Sequence, residues 1–187
     1  MSTALLIVDV QPTFCEGGGL GVEGGNAVAE AVAAHVEAAD YDHIITTQDW
    51  HIDPGDHFSA EPDFVDSWPQ HGVAGSDEAE LHPALDRVKD AVDAGVKKGQ
   101  YSAAYSGFEG INDEGTTLDD MLQSRGVTDV DVVGIAFDYC VLATALDASG
   151  NGYSVRVLED LTVGVAPESS EAARVTLIEA GVQLATA

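Results

Sequence analysis

Short apolar runs alternate with helix-like segments along this chain, and that alternation limits the fold more than any other feature. The first run, residues 4–8, reads Ala-Leu-Leu-Ile-Val, which is typical of a strand buried on both faces. Further strands are predicted at 43–47, 92–97, 130–134, 154–158 and 182–185, and helices at 24–39, 117–125, 140–149 and 167–180. This order predicts an α/β fold with three layers, α/β/α, around a mostly parallel, doubly wound central sheet.

Length and charge exclude several classes of protein. A chain of 187 residues with 45% hydrophobic residues suits a single domain over 1–187 and is too apolar for a disordered protein. It carries 33 acidic and 7 basic residues, a net charge of −26, which excludes nucleic acid and anionic membranes as partners. Only three of the bases are lysines. We therefore hypothesise a surface adapted to a salt-rich cytoplasm, the alternative being an ordinary acidic protein.

The two cysteines and the N-terminal segment bear on the compartment. Cys15 and Cys140 are too few for a disulfide scaffold. The N-terminal segment has no basic start, and its apolar run ends at Asp9, so it resembles neither a signal peptide nor a membrane span of about 20 residues. We expect a cytoplasmic protein with reduced thiols.

Chemically active side chains cluster where the predicted strands end. In a doubly wound sheet, binding sites lie beyond the carboxyl ends of the strands. That rule selects Asp9, the segment beginning at Asp49, the pair Lys97 and Lys98, and residues 135–140. We therefore expect four kinds of group to meet at one edge of the sheet: an acid, imidazoles with a further acid, an amine and a thiol.

Cys140 is the leading candidate for a nucleophile. It is predicted to open a helix, whose N-terminus lowers the pKa of a thiol and offers free N–H groups to an oxyanion. The alternative is a buried, inert cysteine, and Cys15 in its glycine-rich loop is a weaker candidate. A lysine at 98 beside Asp9 and Cys140 would stabilise both anions. Read alone, Lys98 could equally be a solvated surface residue, and Asp9 an acid satisfied by backbone or water.

A long aperiodic segment, about 48–83, is predicted to be a metal- and substrate-binding loop. Segments of this length without periodicity are usually functional. It contains Asp49, His51, His57 and His71, and the first two are spaced to reach one ion from an extended chain. Imidazoles with a carboxylate suit Zn, Fe or Mn, although the spacing matches no zinc finger. The alternative is a set of polar loop residues satisfied by hydrogen bonds.

A glycine pattern at 19–24 resembles the G-x-G-x-x-G motif of dinucleotide-binding proteins. In that motif the first glycine directly follows the first strand, whereas here the whole segment from Asp9 to 18 intervenes. Glu16 and Glu23 would also repel a pyrophosphate. We therefore interpret the segment as a flexible loop.

Taken together, these segments resemble the nicotinamidase/pyrazinamidase family within the isochorismatase-like cysteine hydrolases. The matching stretches run in order through 6–11, 14–18, 47–59, 67–71, 98–108, 134–141 and 160–164. The match is specific because independent motifs at the strand ends agree in both order and spacing. The resemblance implies an isochorismatase-like fold and a hydrolase that converts nicotinamide, and also pyrazinamide, to the acid and ammonia through a thioester, with a role in NAD salvage.

The resemblance also assigns roles to individual residues. It implies a catalytic triad, a divalent transition metal (Zn, Fe or Mn), substrate contacts and a backbone oxyanion hole. The implied triad is Asp9, Lys98 and Cys140, and the implied metal ligands are Asp49, His51 and His71, with His57 as a fourth. The implied substrate contacts are Phe14, Trp68, Tyr105 and Ile135. The implied oxyanion hole consists of the N–H groups of Ala136 and Cys140. The peptide between Ile135 and Ala136 is expected to be cis.

Two alternatives remain. A related hydrolase of the same fold could act on another amide, a carbamoyl compound or a vinyl ether, but those relatives generally lack the full metal site that Asp49-x-His51 indicates. A metal-holding or dinucleotide-binding module without catalysis is disfavoured by Asp9, Lys98 and Cys140. A small-molecule substrate, nicotinamide, is the predicted partner, and homo-oligomerisation is left open.

Overall fold

A six-stranded parallel sheet runs through the centre of the protein. The structure is a computed structural model that describes residues 2–187. The strands are β1 (Ser2–Val8), β2 (His43–Asp49), β3 (Ala94–Lys98), β4 (Val127–Ile135), β5 (Ser154–Val163) and β6 (Gln183–Ala185). Their order in the sheet is β3-β2-β1-β4-β5-β6, so the chain reverses its winding direction between β1 and β4. The predicted α/β class is confirmed.

Helices cover both faces of this sheet. One face carries α1 (Gly25–Ala38) and a 3₁₀ helix (Pro83–Ala91), and the other carries α2 (Leu118–Ser124), α3 (Leu142–Gly150) and α4 (Pro167–Glu179). On β1, Leu5 and Ile7 pack toward α1, whereas Leu6 and Val8 pack toward the other layer, and all four are fully buried. Burial on both faces explains the continuous apolar run. Across residues 2–187, no helix combines the length and apolar character needed to cross a membrane.

Three elements differ from the prediction. β5 continues to Val163, because an irregular register between Val132 and Gly134 lets its last residues pair with the end of β4. The 3₁₀ helix Pro83–Ala91, which buries Ala84, Leu85 and Val88, was not predicted. The helix predicted to begin at Cys140 begins earlier, as a π-helical turn (Phe137–Val141) that leads into α3.

The segment between β2 and β3 is irregular but ordered by backbone pairing. His51 forms an isolated parallel bridge with Val73, and Phe58 forms another with Trp68. The N–H of His51 donates to the carbonyl of Gly72 at 2.8 Å, and that of Trp68 donates to His57 at 2.8 Å. These pairings fold the segment back on itself and bring its three histidines together.

The glycine-rich segment before α1 is closed to an anionic ligand. The carboxylate of Glu16 accepts hydrogen bonds from the N–H groups of Gly24, at 2.7 Å, and Asn26, at 2.8 Å. These groups belong to the helix N-terminus that would face a pyrophosphate in a dinucleotide-binding protein. The protein's own acid already fills that position, in agreement with the interpretation as a loop.

Candidate active site and metal centre

Asp9, Lys98 and Cys140 meet beyond the carboxyl ends of three strands, where the winding of the sheet reverses. All three side chains are buried. The Nζ atom of Lys98 lies 2.9 Å from Oδ2 of Asp9 and 3.7 Å from Sγ of Cys140, and it also contacts Oδ1 of Asp49. The carbonyl of Ala104 accepts a further hydrogen bond from Nζ at 3.2 Å. One buried ammonium therefore joins the thiol to two carboxylates.

Asp9 is held in a specific orientation. Its backbone is left-handed, with φ of 48°, a conformation that is uncommon outside glycine and is often found at functional sites. The hydroxyl of Thr47 donates to Oδ1 at 2.6 Å, while Oδ2 accepts no hydrogen bond of good geometry. Burial raises the pKa of Asp9 above its usual range, although the charge of Lys98 opposes the shift. A carboxyl in this state is suited to accept and return a proton.

Burial has the largest effect on the Cys140 thiol. Burial raises its pKa well above the usual value; the Lys98 charge lowers it, and the carboxylates of Asp9 and Asp49 raise it further. The expectation that a helix N-terminus would lower this pKa is therefore wrong, because burial and the two acids outweigh that effect. The other thiol, Cys15, is also buried, and its pKa is raised to about 11 by burial and the charge of Glu16.

Asp49, His51, His57 and His71 form a second cluster beside the thiol. Oδ2 of Asp49 lies 3.4 Å from Nε2 of His51 and 3.5 Å from Nε2 of His71. Each histidine offers a nitrogen within 4.8 Å of those of the other two, and all three side chains are buried. The three histidines, including His57, thus converge on one position, and the carboxylate of Asp49 lies beside two of them.

The hydrogen bonds around the histidines leave nitrogen lone pairs facing this position. Nδ1 of His51 lies 2.6 Å from the carbonyl of Gly99, and Nδ1 of His71 lies 2.8 Å from that of Pro69. Because a carbonyl can only accept, each Nδ1 carries the proton and each Nε2 presents a lone pair. Nε2 of His51 and Nδ1 of His57 are buried without a hydrogen-bond partner among the described residues. Converging acceptors of this kind fit a divalent transition metal.

The charges in the site support the same conclusion. Burial alone would raise the pKa of Asp49, but the charge of Lys98 and the neighbouring imidazoles of His51 and His71 hold it well below its usual range. Burial, together with the charges of His71 and His51, lowers the pKa of His57 to about 4, so this imidazole is neutral near pH 7. A cation among these side chains would offset the buried negative charge of the carboxylates.

A cavity of about 450 Å³, with its open mouth included, connects the thiol to the histidine cluster. The predicted substrate contacts Phe14, Trp68 and Tyr105 line it, and the indole Nε1 of Trp68 donates to the Tyr105 hydroxyl at 3.0 Å. Ile135 does not line it. That side chain is fully buried in the core beneath α1, because it belongs to the sheet, and Ala136 takes its place at the cavity wall. The Ile135–Ala136 peptide is cis.

Several residues at the site were not predicted as site residues. Leu20, Val22 and Val165 line the cavity, and the hydrophobic pattern carries no signal for them, because they lie in connections between regular elements. Tyr139, whose neighbourhood to Cys140 in the family pattern indicates a role in substrate range, also lines the cavity, and its ring packs edge-on against Trp68 at 5.3 Å.

Two further residues support the site from behind. The buried side chain of Gln11 binds both the N–H and the carbonyl of Asp49, at 2.9 and 3.0 Å. Gly99, with φ of 72°, passes so close to His51 that a Cβ atom would lie 2.8 Å from Nδ1 of that ring. Gln11 lies within the stretch 6–11 and Gly99 within 98–108, so the resemblance marks their positions without their roles.

Comparison with known proteins gives a consistent result. The isochorismatase domain family matches residues 3–187. The nicotinamidase/pyrazinamidase of Mycobacterium tuberculosis is 53% identical over 182 residues, 97% of either chain. The crystal structure of PnC1 from L. infantum in complex with nicotinate superposes with a TM-score of 0.85 at 36% identity, covering 99% of this chain and 92% of that one. The crystal structure of the pyrazinamidase of Pyrococcus horikoshii in complex with zinc superposes with a TM-score of 0.81 at 34% identity, covering 100% of both chains.

Proposed function

This chain belongs to the isochorismatase family, and we propose that it is a nicotinamidase that hydrolyses nicotinamide to nicotinate and ammonia. Pyrazinamide is the second substrate, and the reaction serves NAD salvage. The observation that carries the proposal is the shared cavity: a buried thiol, linked through one lysine to two acids, opens onto the same space as a histidine cluster. The similarity to nicotinamidases supports the choice of substrate.

In the first half of the reaction, we propose that Asp9 acts as general base and Cys140 as nucleophile. The proton of the thiol moves to Asp9 as sulfur attacks the carboxamide carbon, so no resting thiolate is needed. The developing oxyanion is held by the N–H groups of Ala136 and Cys140, the first of which donates to no other group among residues 2–187. Asp9 then returns the proton to the leaving nitrogen, the C–N bond breaks, and ammonia departs from a thioester.

In the second half, water attacks the thioester and Asp9 takes the proton from it. The C–S bond breaks, sulfur regains a proton, and nicotinate leaves. Lys98 stays protonated throughout: its own burial would lower its pKa, but Asp49 and Asp9 raise it well above the usual value. Its charge stabilises whichever partner is anionic at each step.

The four residues of the second cluster are proposed to hold one divalent transition metal. Bound by Asp49, His51, His71 and His57, such a metal would supply a Lewis-acid anchor for the ring nitrogen of the substrate. The rings of Phe14 and Trp68 border the same cavity and would hold the aromatic ring of the substrate between them. This orientation presents the carboxamide to Cys140.

An ammonia-release assay tests the proposal. We expect release from nicotinamide and pyrazinamide, and a loss of at least about 10³-fold in kcat for Cys140→Ala. Cys15→Ala is the matched control, since Cys15 is equally buried but lies outside the cavity lining, and it should retain turnover. Full turnover by Cys140→Ala, or faster hydrolysis of a carbamoyl or vinyl-ether substrate, would contradict the proposal.

We further propose that the enzyme works in a salt-rich cytoplasm. Both cysteines are free thiols, which suits a reducing compartment. Only four of the 33 acids are buried, so most of the negative charge lies at the surface. Nicotinamide is neutral and approaches such a surface without repulsion, whereas the anionic product is repelled from it.

A further inference from the structure

The carboxylate of Asp138 joins the turn that carries Cys140 to the connection between β5 and α4. Asp138 lies two residues before the thiol and is 7% exposed. Its Oδ1 accepts a hydrogen bond from the N–H of Val165 at 2.9 Å, and its Oδ2 accepts one from the N–H of Ala166 at 3.2 Å. The hydroxyl of Ser169 also donates to Oδ2. Two donors from this connection and one from the first turn of α4 thus meet on a single side chain of the thiol turn.

Part of this arrangement is a helix cap supplied from another element. The residue at the N-cap of α4, Ala166, has no side-chain acceptor for the free N–H groups of the first turn. Asp138 accepts instead from the N–H of this N-cap residue and adds a negative charge, which the helix dipole favours. A cap alone, however, does not explain why the acceptor belongs to the thiol turn.

The same connection forms a wall of the cavity. Val165 lines the cavity and is itself half-exposed, and its N–H is one of the groups bound by Asp138. The preceding residue, Gly164, approaches so closely that a Cβ atom there would lie 3.3 Å from Oδ1 of Asp138. The position of Val165 relative to Cys140 is therefore fixed through one carboxylate.

We propose that Asp138 is a positioning residue for the hydrolysis: it holds the Cys140 turn and the Val165 wall in register around the substrate. This rests on the proposed amidase function. Losing the carboxylate would let the wall move, which weakens substrate binding, and would misalign sulfur and the backbone N–H donors, which slows attack. A displacement of about 1 Å at a reacting atom can cost on the order of 10²-fold in rate.

The test compares kcat and KM for nicotinamide in two variants, well below their melting temperatures. Asp138→Asn keeps one oxygen for Val165 but turns an amide N–H toward Ala166, and we expect kcat/KM to fall about 10- to 100-fold with both constants affected. Ser169→Ala removes only one of the three donors. Its kcat/KM should therefore fall in the same way, with both constants affected, but only by a few-fold. The control is Thr117→Ala, which removes the N-cap of α2 far from the cavity and should lower Tm alone.

A double-mutant cycle separates positioning from stability. Val165→Ala alone should raise KM. In the double variant, the fold-increase in KM should be smaller than the product of the two single fold-increases, because both changes disturb the same wall. A folded Asp138→Asn enzyme with wild-type kcat and KM, or fully independent effects in the cycle, would overturn the inference.

Failure of the proposed function is distinguishable from failure of the inference, because it would abolish turnover in the wild type as well. In that case the rate of alkylation of Cys140 by iodoacetamide, measured with Cys15→Ala as background, replaces turnover. A change in this rate on Asp138→Asn, absent in Thr117→Ala, would support positioning, and an unchanged rate would overturn it.

Discussion

At the scale of single residues, Asp49 links the thiol to the histidine cluster. One oxygen of its carboxylate contacts Lys98, and the other faces Nε2 of both His51 and His71. Its backbone is fixed by Gln11, whose buried amide binds the N–H and the carbonyl of Asp49 as a neighbouring strand would. Metal ligands depend on such supporting hydrogen bonds, whose loss typically lowers metal affinity about 10- to 100-fold.

Replacing Gln11 by methionine should therefore weaken metal binding. Gln11→Met keeps the length of the side chain but leaves the N–H and carbonyl of Asp49 without their partner. We expect the dissociation constant for Zn²⁺, measured by titration calorimetry on the metal-free protein, to rise about 10- to 100-fold. Stability should fall by about 1–3 kcal/mol as well, since buried polar groups lose their hydrogen bonds.

Gln48 provides the matched control for this prediction. Its amide donates to the carbonyl of Ala79, as that of Gln11 does, but it has no side-chain bond to Asp49. Gln48→Met should therefore keep Zn²⁺ affinity within a few-fold of the wild type. If folded Gln11→Met binds Zn²⁺ as tightly as the wild type, Gln11 has no role in fixing the ligand.

The residues that carry chemistry were more predictable than those that support them. Asp9, Lys98 and Cys140 follow predicted strand ends, and parallel strands bring such ends to one edge of the sheet. Gln11 and Asp138 act through hydrogen bonds to backbone groups 27 to 68 residues away, which leave no periodic or compositional signal. Only the folded chain shows which backbone group each side chain meets.

At the scale of elements, periodicity located most of the helices and strands, but it missed what positions them. The 3₁₀ helix Pro83–Ala91 directly follows the aperiodic segment, and the π-helical turn Phe137–Val141 is only five residues long, so neither was predicted as a separate element. Residues 50–82 have no periodicity, yet two isolated bridges bring His51, His57 and His71 together. Such long-range pairing depends on geometry that a single sequence does not display.

The N-terminus of α1 offers a test at this scale. Its N-cap, Gly24, has no side chain, so Glu16 supplies the acceptor for two backbone N–H groups. Glu16→Gln should lower Tm at pH 7 by a few degrees, because the amide is a weaker acceptor without charge. Glu23→Gln is the control: Glu23 is exposed in the same segment and makes no such bond, so its replacement should not lower Tm.

The effect of Glu16 should also depend on pH, with a defined sign. Its hydrogen bonds lower the pKa of Glu16 below the usual 4.5 in the folded protein. The stabilisation is therefore present above pH 4.5 and is lost as pH falls from there through the lowered pKa. Thermal melts of wild type and Glu16→Gln should differ at pH 7 and converge at the acid end. A difference that persists at the lowest pH at which both fold would contradict this account.

At the scale of the whole molecule, the main electrostatic feature is the excess of carboxylates at the surface. Five of the seven bases already pair with acids: Arg87, Lys97, Lys98, Arg156 and Arg174. Few cations remain to offset the exposed carboxylates, so these repel one another across the surface. Salt reduces that repulsion, since the screening length falls from about 10 Å at 0.1 M to about 3 Å at 1 M.

We therefore expect Tm to rise with KCl from low to molar concentration, as measured by thermal melts. The same melts on a triple variant, Glu23→Gln with Asp90→Asn and Glu179→Gln, isolate the electrostatic part. These three exposed acids make no ion pair or side-chain hydrogen bond among residues 2–187, so their loss removes repulsion without removing a contact. The variant should melt higher than the wild type in low salt and gain less from KCl. Sucrose, which stabilises by exclusion without screening charge, should raise both Tm values equally. A wild-type Tm independent of KCl would refute adaptation to salt.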